Sequence, residues 1–291
     1  MSENHKKILC AYSGKKGAYA EQAVGRYFGE NADAVQCDSF RAVFQAVSSG
    51  KTDFGMIPIE NSLGGSVYDN YDNLVAFKDV SIVGALHLRI QHALLAVKGT
   101  SVESVKRVYS HPQGFAQCSK LIENYGWEKI SASSTATAAK MVADFGSSEN
   151  AAIASAVTAN YYNLEILMED IQDDPRDFTR FVVICENENI KNLAEVKKNP
   201  NMASFVFGTA NETGALYNAL GIFQKNKLNL TRLESRPIAG QPWHYWFYAD
   251  AELKEKALQN EDYVKIFMEE LKTAAEDVRL LGVYSESRSS L

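Results

Sequence analysis

The sequence predicts a two-lobed α/β domain followed by a small α+β domain, on three observations. Strand-like apolar runs alternate with helix-like segments over the first 190 residues, which is typical of a mostly parallel sheet. An unusually long extended run, 81–97, fits a strand that crosses from one lobe to the other. A polar, lysine-bearing linker over 187–201 then precedes a stretch in the order βαββαβ, which is the ferredoxin-like arrangement.

These observations set the expected domain boundaries. Residues 1–190 form the first domain, with lobe one at 1–83 and 175–190 and lobe two at 84–174. Residues 191–291 hold the linker and the second domain.

Composition restricts the class of protein. The 291 residues suffice for two domains, and 46% hydrophobic with 23% charged residues is typical of globular proteins. A formal net charge of -6 gives no general attraction to nucleic acid or to an anionic membrane. No apolar run is long enough to span a bilayer. The four cysteines form no metal-type pairs and no signal peptide is recognised, so we expect free thiols in a cytoplasmic protein.

The first lobe opens with a predicted strand at 8–12, a glycine turn at 13–17 and a helix at 18–28. The turn lacks the upstream glycine and the Ser/Thr of a Walker phosphate loop, although its backbone N–H groups can still approach an anion. Ser39 is predicted to cap a second helix, which Gly50 ends.

The segment 58–67, Pro-Ile-Glu-Asn-Ser-Leu-Gly-Gly-Ser-Val, follows a predicted buried strand that ends at Pro58. A carboxylate, an amide, two hydroxyls and two glycines thus lie before a helix that opens near Ser66. The unpaired N–H groups and positive dipole end of a helix start favour an anion. The segment fits a small-anion site, but by itself it favours an ordinary strand-to-helix turn capped by Ser66.

In the second lobe, predicted strands at 105–109, 129–132 and 151–154 each end in small polar residues before a helix. Open α/β sheets bind ligands at such carboxyl ends. The segment 173–177 breaks the pattern, and 178–186 is predicted to be a strand that returns to lobe one. Because strand side chains alternate, Thr179 shares a face with Phe181 and not with Arg180.

The second domain is predicted from four strands and two helices. The strands lie at 202–208, 229–236, 243–250 and 278–284, and the helices at 213–226 and 262–273. No solenoid-type repeat interrupts this order.

Chemical motifs do not by themselves identify a substrate. The five histidines lack metal-type spacing, and neither a nucleophile elbow nor a dinucleotide fingerprint is present. Adjacent strand residues point to opposite sides, so Ser110 and His111 are not expected to pair as nucleophile and base. Pro112 instead indicates a helix start with His111 near its cap.

Four motifs nevertheless occur in a characteristic order. They are Pro-Ile-Glu-Asn-Ser at 58–62, His-Pro-Gln at 111–113 followed by Gln-Cys at 117–118, Thr-Arg-Phe at 179–181 and Glu-Ser-Arg-Pro at 234–237. Together they resemble the prephenate dehydratase family with its C-terminal ACT regulatory domain, across essentially the whole chain. The chain departs from that family at Lys15-Lys16, which is unusually basic, and at Asp177, where the family commonly has Asn.

The resemblance implies a catalytic domain like the two-lobed periplasmic binding proteins, which converts prephenate to phenylpyruvate, carbon dioxide and water in the interlobe cleft. It implies no cofactor and no metal, because aromatisation of the ring drives the reaction. By resemblance, Thr179 donates to the departing hydroxyl as a hydrogen-bond donor or relay. The other implied site residues are Asn61, Ser110 and Gln117 in the catalytic set, Ser62, Gly64, Thr135, Arg180 and Glu60 in substrate binding, and Phe181 in packing.

Two of these assignments carry alternatives. Arg180 either holds a carboxylate or braces its strand, since it lies opposite Thr179 by alternation. Glu60 beside a dianionic substrate requires a partner or a proton.

The resemblance also implies binding of L-phenylalanine between ACT domains of neighbouring subunits. The implied residues are Gly214, Ala215 and Leu216 at a helix start and Glu234, Ser235 and Arg236 at the end of a strand. The alternative for the charged pair of that strand is a solvated edge. An exposed sheet edge favours subunit pairing, so we expect a homodimer or homotetramer.

Two alternative functions stay open. Arogenate dehydratase performs the same chemistry on the transaminated substrate, and the motifs do not separate the two. The bare topology also fits a non-catalytic two-lobed solute-binding protein with an amino-acid sensor, which leaves 177–181 unexplained. The first strand begins near Ile8, so we expect a monofunctional enzyme without a fused chorismate mutase.

Overall fold

The structure is a computed structural model that describes residues 7–189, 200–253 and 261–287. The linker prediction falls largely on residues outside these ranges.

Lobe one is an α/β unit built from the chain before residue 90 and the strand after residue 177. Its strands are β1 (Ile8–Ser13), β2 (Ala32–Cys37), β3 (Phe54–Asn61), β4 (Gly65–Ser66), β5 (Val80–Arg89) and β11 (Phe178–Glu186). Its helices are α1 (Tyr19–Phe28), α2 (Phe40–Ser48) and α3 (Tyr68–Ala76). Ser39 caps α2 by accepting a hydrogen bond from the Ala42 N–H, as predicted.

Lobe two has a separate sheet in the order β10-β6-β9-β7-β8. The strands are β6 (Ala93–Ala96), β7 (Arg107–Ser110), β8 (Glu128–Ser131), β9 (Asn150–Ala154) and β10 (Glu165–Met168). The helices are α4 (Pro112–Gln117), α5 (Ser119–Tyr125), α6 (Thr135–Phe145) and α7 (Val157–Tyr162).

Two neighbouring crossings join the lobes. One runs from β5 to β6 through 90–92, and the other runs from β10 to β11 through 169–177. The Ile90 N–H donates to the Asp177 carbonyl at 2.8 Å, so the crossings are tied side by side. The boundary expected at 83/84 is therefore too early, because β5 stays paired with β11 as far as Arg89.

The C-terminal domain has the predicted βαββαβ order. Its elements are β12 (Met202–Gly208), α8 (Ala215–Lys225), β13 (Asn229–Pro237), β14 (Tyr245–Glu252), α9 (Glu261–Leu271) and β15 (Glu276–Ser287). Its sheet is continuous with that of lobe one, in the order β13-β14-β12-β15-β5-β11-β3-β1-β2, because the end of β15 pairs in parallel with β5.

The two faces of the C-terminal sheet have different neighbours. α8 and α9 cover one face, where Phe205, Phe223 and Phe267 are buried together. The other face packs on lobe one, and the Tyr248 hydroxyl donates to the Tyr71 carbonyl of α3 at 2.8 Å. The second domain is therefore docked on lobe one through a surface that includes buried apolar side chains.

Three local predictions need correction. β3 runs through Pro58 to Asn61, and a bulge opposite Arg180 accommodates the proline. Ser66 does not cap α3, since its N-cap is Val67 with no side-chain bond. β2 and β10 were not predicted from the sequence, because β2 lies at a sheet edge with mixed burial and β10 is a four-residue edge strand.

Among the residues described, none of the helices combines the length and the apolar character needed to cross a bilayer.

Candidate active site

The candidate site lies where the end of β3 meets the start of β11. Asn61 and Thr179 are direct partners in the register of these antiparallel strands. Asn61 Nδ2 donates to Thr179 Oγ1 at 3.1 Å and to Asp177 Oδ1 at 2.6 Å. A single amide therefore connects the predicted catalytic hydroxyl with a carboxyl group.

The orientation of the Asn61 amide follows from its contacts. Its Oδ1 accepts from the backbone N–H groups of Leu63 at 3.1 Å and Gly64 at 2.6 Å. An amide nitrogen cannot accept these bonds, so the oxygen faces the loop and both N–H groups face Asp177 and Thr179. Since Thr179 Oγ1 accepts from Asn61, its own O–H remains available to donate.

Asp177 lies on the second crossing and is fully buried, with 0% of its surface exposed. Its Oδ2 has no hydrogen-bond partner among the residues described. Burial raises the pKa of this carboxyl, the hydrogen bond from Asn61 lowers it in part, and the charge of Asp174 raises it further. The net shift is upward, which favours the neutral acid at a higher pH than usual.

Lobe two contributes Ser110, the last residue of β7, and Thr135, the first residue of α6. Ser110 is fully buried and donates from Oγ to the Ile153 carbonyl at 2.8 Å. A Cβ atom on Gly114 of α4 would lie 2.5 Å from Ser110 Oγ and 3.5 Å from Thr135 Cγ2. The three residues are therefore packed together, and the Ser110 hydroxyl is bonded to the backbone of β9.

Gln117 belongs to a hydrogen-bonded chain across the hinge. Its Oε1 lies 2.9 Å from His92 Nε2, and His92 Nδ1 lies 3.0 Å from the Tyr19 hydroxyl. The Tyr19 hydroxyl also donates to the Gln91 carbonyl at 2.7 Å. Burial lowers the pKa of His92, although the bond to Gln117 opposes part of that shift. Because Tyr19 is in lobe one and Gln117 in lobe two, the chain links the two lobes through the hinge.

The lobes also touch across the cleft. A Cβ atom on Gly64 would lie 2.0 Å from Gln113 Nε2, so any other residue at this position would displace the Gln113 side chain. A separate cavity of about 200 Å³ lies between the lobes. It is lined by Ser13, Gly14 and Lys15 of the first turn, by Cys37, Asp38 and Phe40, and by Ser133, Ser134 and Thr137 of lobe two. The unusually basic first turn therefore faces lobe two through Lys15.

Ser62 and Phe181 have structural contacts. Ser62 Oγ donates to the Arg176 carbonyl at 3.1 Å and accepts from the Phe178 N–H at 3.0 Å. Phe181 is buried in the lobe one core, which agrees with the packing role assigned to it.

The assignment of Arg180 to substrate binding is corrected by the structure. Its guanidinium donates to Glu286 Oε1 at 2.5 Å, Asp250 Oδ2 at 2.6 Å and the Tyr284 hydroxyl at 2.8 Å. These partners all belong to the C-terminal domain, on the sheet face opposite Thr179. Of the two roles left open for Arg180, the structure supports bracing.

Glu60 is corrected for the same reason. Its Oε2 accepts from Arg232 Nη1 at 2.7 Å, so it faces the C-terminal domain and has a cationic partner. Glu60 is the register partner of Arg180, and both therefore serve the interface between domains.

Two residues of the expected phenylalanine site also face lobe one. Glu234 is bonded to Ser66, and Arg236 donates from Nη2 to Asp72 Oδ2 at 2.7 Å. Side chains alternate along β13, so Ser235 lies on the opposite face, towards α8. Within one chain, Glu234 and Arg236 therefore point away from the start of α8. Gly214 does precede α8, as its N-cap with φ of 87°.

Sequence reasoning missed Tyr19, His92 and Gln113 as site residues. Gln113 belongs to the recognised His-Pro-Gln motif at 111–113, and its place in that motif could have marked it as a site residue. Tyr19 and His92 are 73 residues apart and meet only in the folded hinge, so no local pattern could pair them.

Other chemistries find less support. Ser110 and His111 do not pair, since His111 Nδ1 accepts from the Gln113 N–H as a helix cap. Among the described residues, no group of three or more His, Cys, Asp or Glu side chains could hold a metal ion.

Comparison with known proteins identifies the family. A sequence model of the prephenate dehydratase family matches residues 10–189. The chain is 37% identical over 292 residues to the chloroplastic arogenate dehydratase/prephenate dehydratase 1 of Arabidopsis thaliana, covering 96% of this chain and 72% of that protein.

Two solved structures share the fold over the whole chain. The prephenate dehydratase of Arthrobacter aurescens in complex with L-Phe has a TM-score of 0.84 at 25% identity, covering 96% of this chain and 90% of that one. GqqA, described as a novel type of quorum quenching acylase, has a TM-score of 0.82 at 30% identity, covering 96% and 98%. The family match, the whole-chain identity and the shared fold show that this chain belongs to the prephenate dehydratase family.

Proposed function

We propose that this chain is a lyase that converts prephenate to phenylpyruvate, carbon dioxide and water in the biosynthesis of L-phenylalanine. The observation that carries the proposal is the pairing of Asn61 with Thr179 at 3.1 Å. It leaves the proton of a buried hydroxyl free to be donated.

The reaction needs such a donor. The bond from the ring to one carboxylate breaks and releases carbon dioxide, and its electron pair enters the ring. The ring C–O bond breaks in turn, and the departing hydroxyl takes up one proton to become water. Thr179 would donate a hydrogen bond to this oxygen, and its hydroxyl is oriented because Asn61 occupies one of its lone pairs.

The remaining residues would bind and orient the dianion. Gln117 is held by His92, and Thr135 lies at the start of α6, where backbone N–H groups are available. Lys15, which lines a cavity between the lobes, would attract the anion electrostatically. Closure of the Gly64 loop on Gln113 would exclude water from the reacting ring.

A paired assay tests this function. Purified protein is given prephenate or arogenate, and the formation of phenylpyruvate or phenylalanine is followed. We expect turnover of prephenate with a higher kcat/KM. A higher kcat/KM with arogenate would reassign the substrate, and binding without turnover of either would favour a solute-binding protein. An N-acylated signal molecule serves as the control for acylase activity.

We also propose feedback inhibition by L-phenylalanine in a cytoplasmic homo-oligomer. The Arthrobacter relative contains L-Phe, and the start of α8 with Gly214, Ala215 and Leu216 is the candidate position for its carboxylate. β13 lies at the edge of the described sheet, where a second subunit could pair. Calorimetry with L-phenylalanine, together with sedimentation, tests both points, and absence of binding would refute the regulation.

A further inference from the structure

Asp177 occupies an unusual position for a carboxyl group. It is fully buried, its Oδ1 accepts from Asn61 Nδ2 at 2.6 Å, and its Oδ2 has no partner among the described residues. The proposed mechanism assigns it no role, although it shares one amide with Thr179. Burying a carboxylate that lacks a partner on one oxygen costs much more free energy than burying the neutral acid.

Among the described residues, no ion pair includes Asp177, and no positive charge contributes to the shift of its pKa. Tyr19 of α1 and Cys118 after α4 both interact with it electrostatically, and burial raises the pKa of each, so both are neutral near pH 7. Asp174, from the same crossing, adds a negative charge. Asn61 of β3 supplies the only hydrogen bond that the described residues make to the carboxyl group.

The hydrogen-bond pattern assigns the proton to one oxygen. Asn61 Nδ2 can only donate, so Oδ1 of Asp177 accepts, and the better acceptor is the carbonyl oxygen of the acid, which favours a proton on Oδ2. The protonated group still accepts from Asn61 and still orients the amide towards Thr179. Protonation therefore removes a charge without disturbing the geometry.

We propose that Asp177 is a positioning residue that holds the Asn61 amide against Thr179, and that the enzyme turns over its dianionic substrate with Asp177 protonated. The inference rests on the proposed function. An ionised Asp177 would stand behind Asn61 and Thr179 as an uncompensated negative charge, and it would oppose both binding of the dianion and departure of a hydroxide-like group. The kcat/KM therefore falls as pH rises through the ionisation of Asp177.

The first test compares pH profiles of kcat/KM for prephenate between about pH 5 and about pH 9. The wild-type value should fall about tenfold per pH unit on the alkaline limb, the limit for loss of one proton. Asp177→Asn keeps an acceptor for Asn61 but cannot ionise, so its alkaline limb should be flat. Asp174→Asn is the matched control: it removes a neighbouring carboxylate that is paired with Arg176 instead, and the limb should persist.

Asp177→Ala separates positioning from charge. It removes the acceptor for Asn61 as well as the proton, so kcat should fall by roughly ten- to a hundredfold at every pH while KM changes less. Rescue by Asn but not by Ala supports the positioning role. An alkaline limb that persists in Asp177→Asn, or a kcat in Asp177→Ala that matches wild type, would overturn the inference.

A second readout does not need turnover. The pKa of Asp177 is raised in the folded protein, so the folded state binds more protons and wild-type stability falls as pH rises through that pKa. The Tm of Asp177→Asn should therefore exceed that of wild type by an amount that grows as pH rises from the ordinary pKa of an Asp side chain to the raised pKa of Asp177. A constant difference would refute protonation of Asp177 even if prephenate proved not to be the substrate, and a growing difference without turnover would count against the proposed function alone.

Discussion

Thr179 and Arg180 are neighbours on β11 whose side chains bind on opposite faces of one sheet. Thr179 Oγ1 accepts from Asn61 in the cleft at 3.1 Å, while Arg180 Nη1 donates to Asp250 of the C-terminal domain at 2.6 Å. Their register partners on β3 show the same division: Asn61 contacts Thr179, and Glu60 binds Arg232 of the C-terminal domain. One pair of strands therefore carries both the candidate site and the domain interface, so a shift of the C-terminal domain would reach Thr179 through a single residue.

Thr179→Ala should lower kcat by roughly 10²–10⁴-fold, the usual range for proton-donor groups. The fold should be retained, because the side chain is small and makes one hydrogen bond to Asn61. Steady-state kinetics with prephenate measure the effect, and Thr179→Ser is the matched control that keeps the hydroxyl. A normal kcat in the alanine variant would remove Thr179 from the mechanism.

Gln117→Ala should lower kcat/KM and destabilise the protein together. His92 Nε2 would lose its partner in a buried position, which costs about 1–3 kcal/mol. Gln91→Ala is the control. Gln91 precedes His92 on the crossing 90–92, and its Nε2 donates to the exposed Asp170 and not to His92. If both variants had wild-type kcat/KM and unfolding midpoints, the chain across the hinge would have no role.

Gly64→Ala should raise KM by about tenfold, which corresponds to about 1.4 kcal/mol lost from closure. The new Cβ would lie 2.0 Å from Gln113 Nε2, so the Gln113 side chain must move before the lobes can close. Gly25→Ala on α1 is the control, because no atom lies within 4 Å of its Cβ position. A KM unchanged by Gly64→Ala would show that this contact is not part of closure.

Arg180→Met should destabilise the protein by roughly 3–5 kcal/mol, the cost of breaking a buried ion pair. It leaves Glu286 and Asp250 without their cation in the interface. Urea unfolding measures the loss, and Lys140→Met, which breaks an exposed pair with Asp144, should change little. The double variant Arg180→Met/Glu286→Gln should recover part of the loss. Equal stability of Arg180→Met and wild type would contradict the bracing role.

The stability of the protein should depend on Glu286 at acid pH. Burial alone would raise its pKa, but His87 and Arg180 outweigh burial and lower the pKa to about 2. A lowered folded pKa means that the stabilisation is present above the ordinary value of 4.5 and is lost as pH falls towards 2. Tm measured against pH should drop less steeply in Glu286→Gln than in wild type. Parallel curves would show that Glu286 has an ordinary pKa.

The sequence alone determined the architecture and the family. Alternating strands and helices, the long crossing run and the βαββαβ order depend on local periodicity and turn residues, which a sequence displays directly. The motifs at 58–62 and 179–181 likewise identified Asn61 and Thr179, because each lies at a strand end with recognisable neighbours. The departure at Asp177 was visible too, but its meaning was not.

Only the tertiary structure decided which neighbours the side chains on each face of these strands contact. Arg180 and Glu60 were expected near the substrate, yet they bind the C-terminal domain. Each has a partner there that lies more than 100 positions away in the sequence. Tyr19 and His92 meet only at the hinge, and the burial of Asp177 depends on both lobes. Alternation along a strand places a charged side chain on one of the two faces of the sheet. Which part of the protein covers that face is set by packing between domains, and the local sequence does not show it.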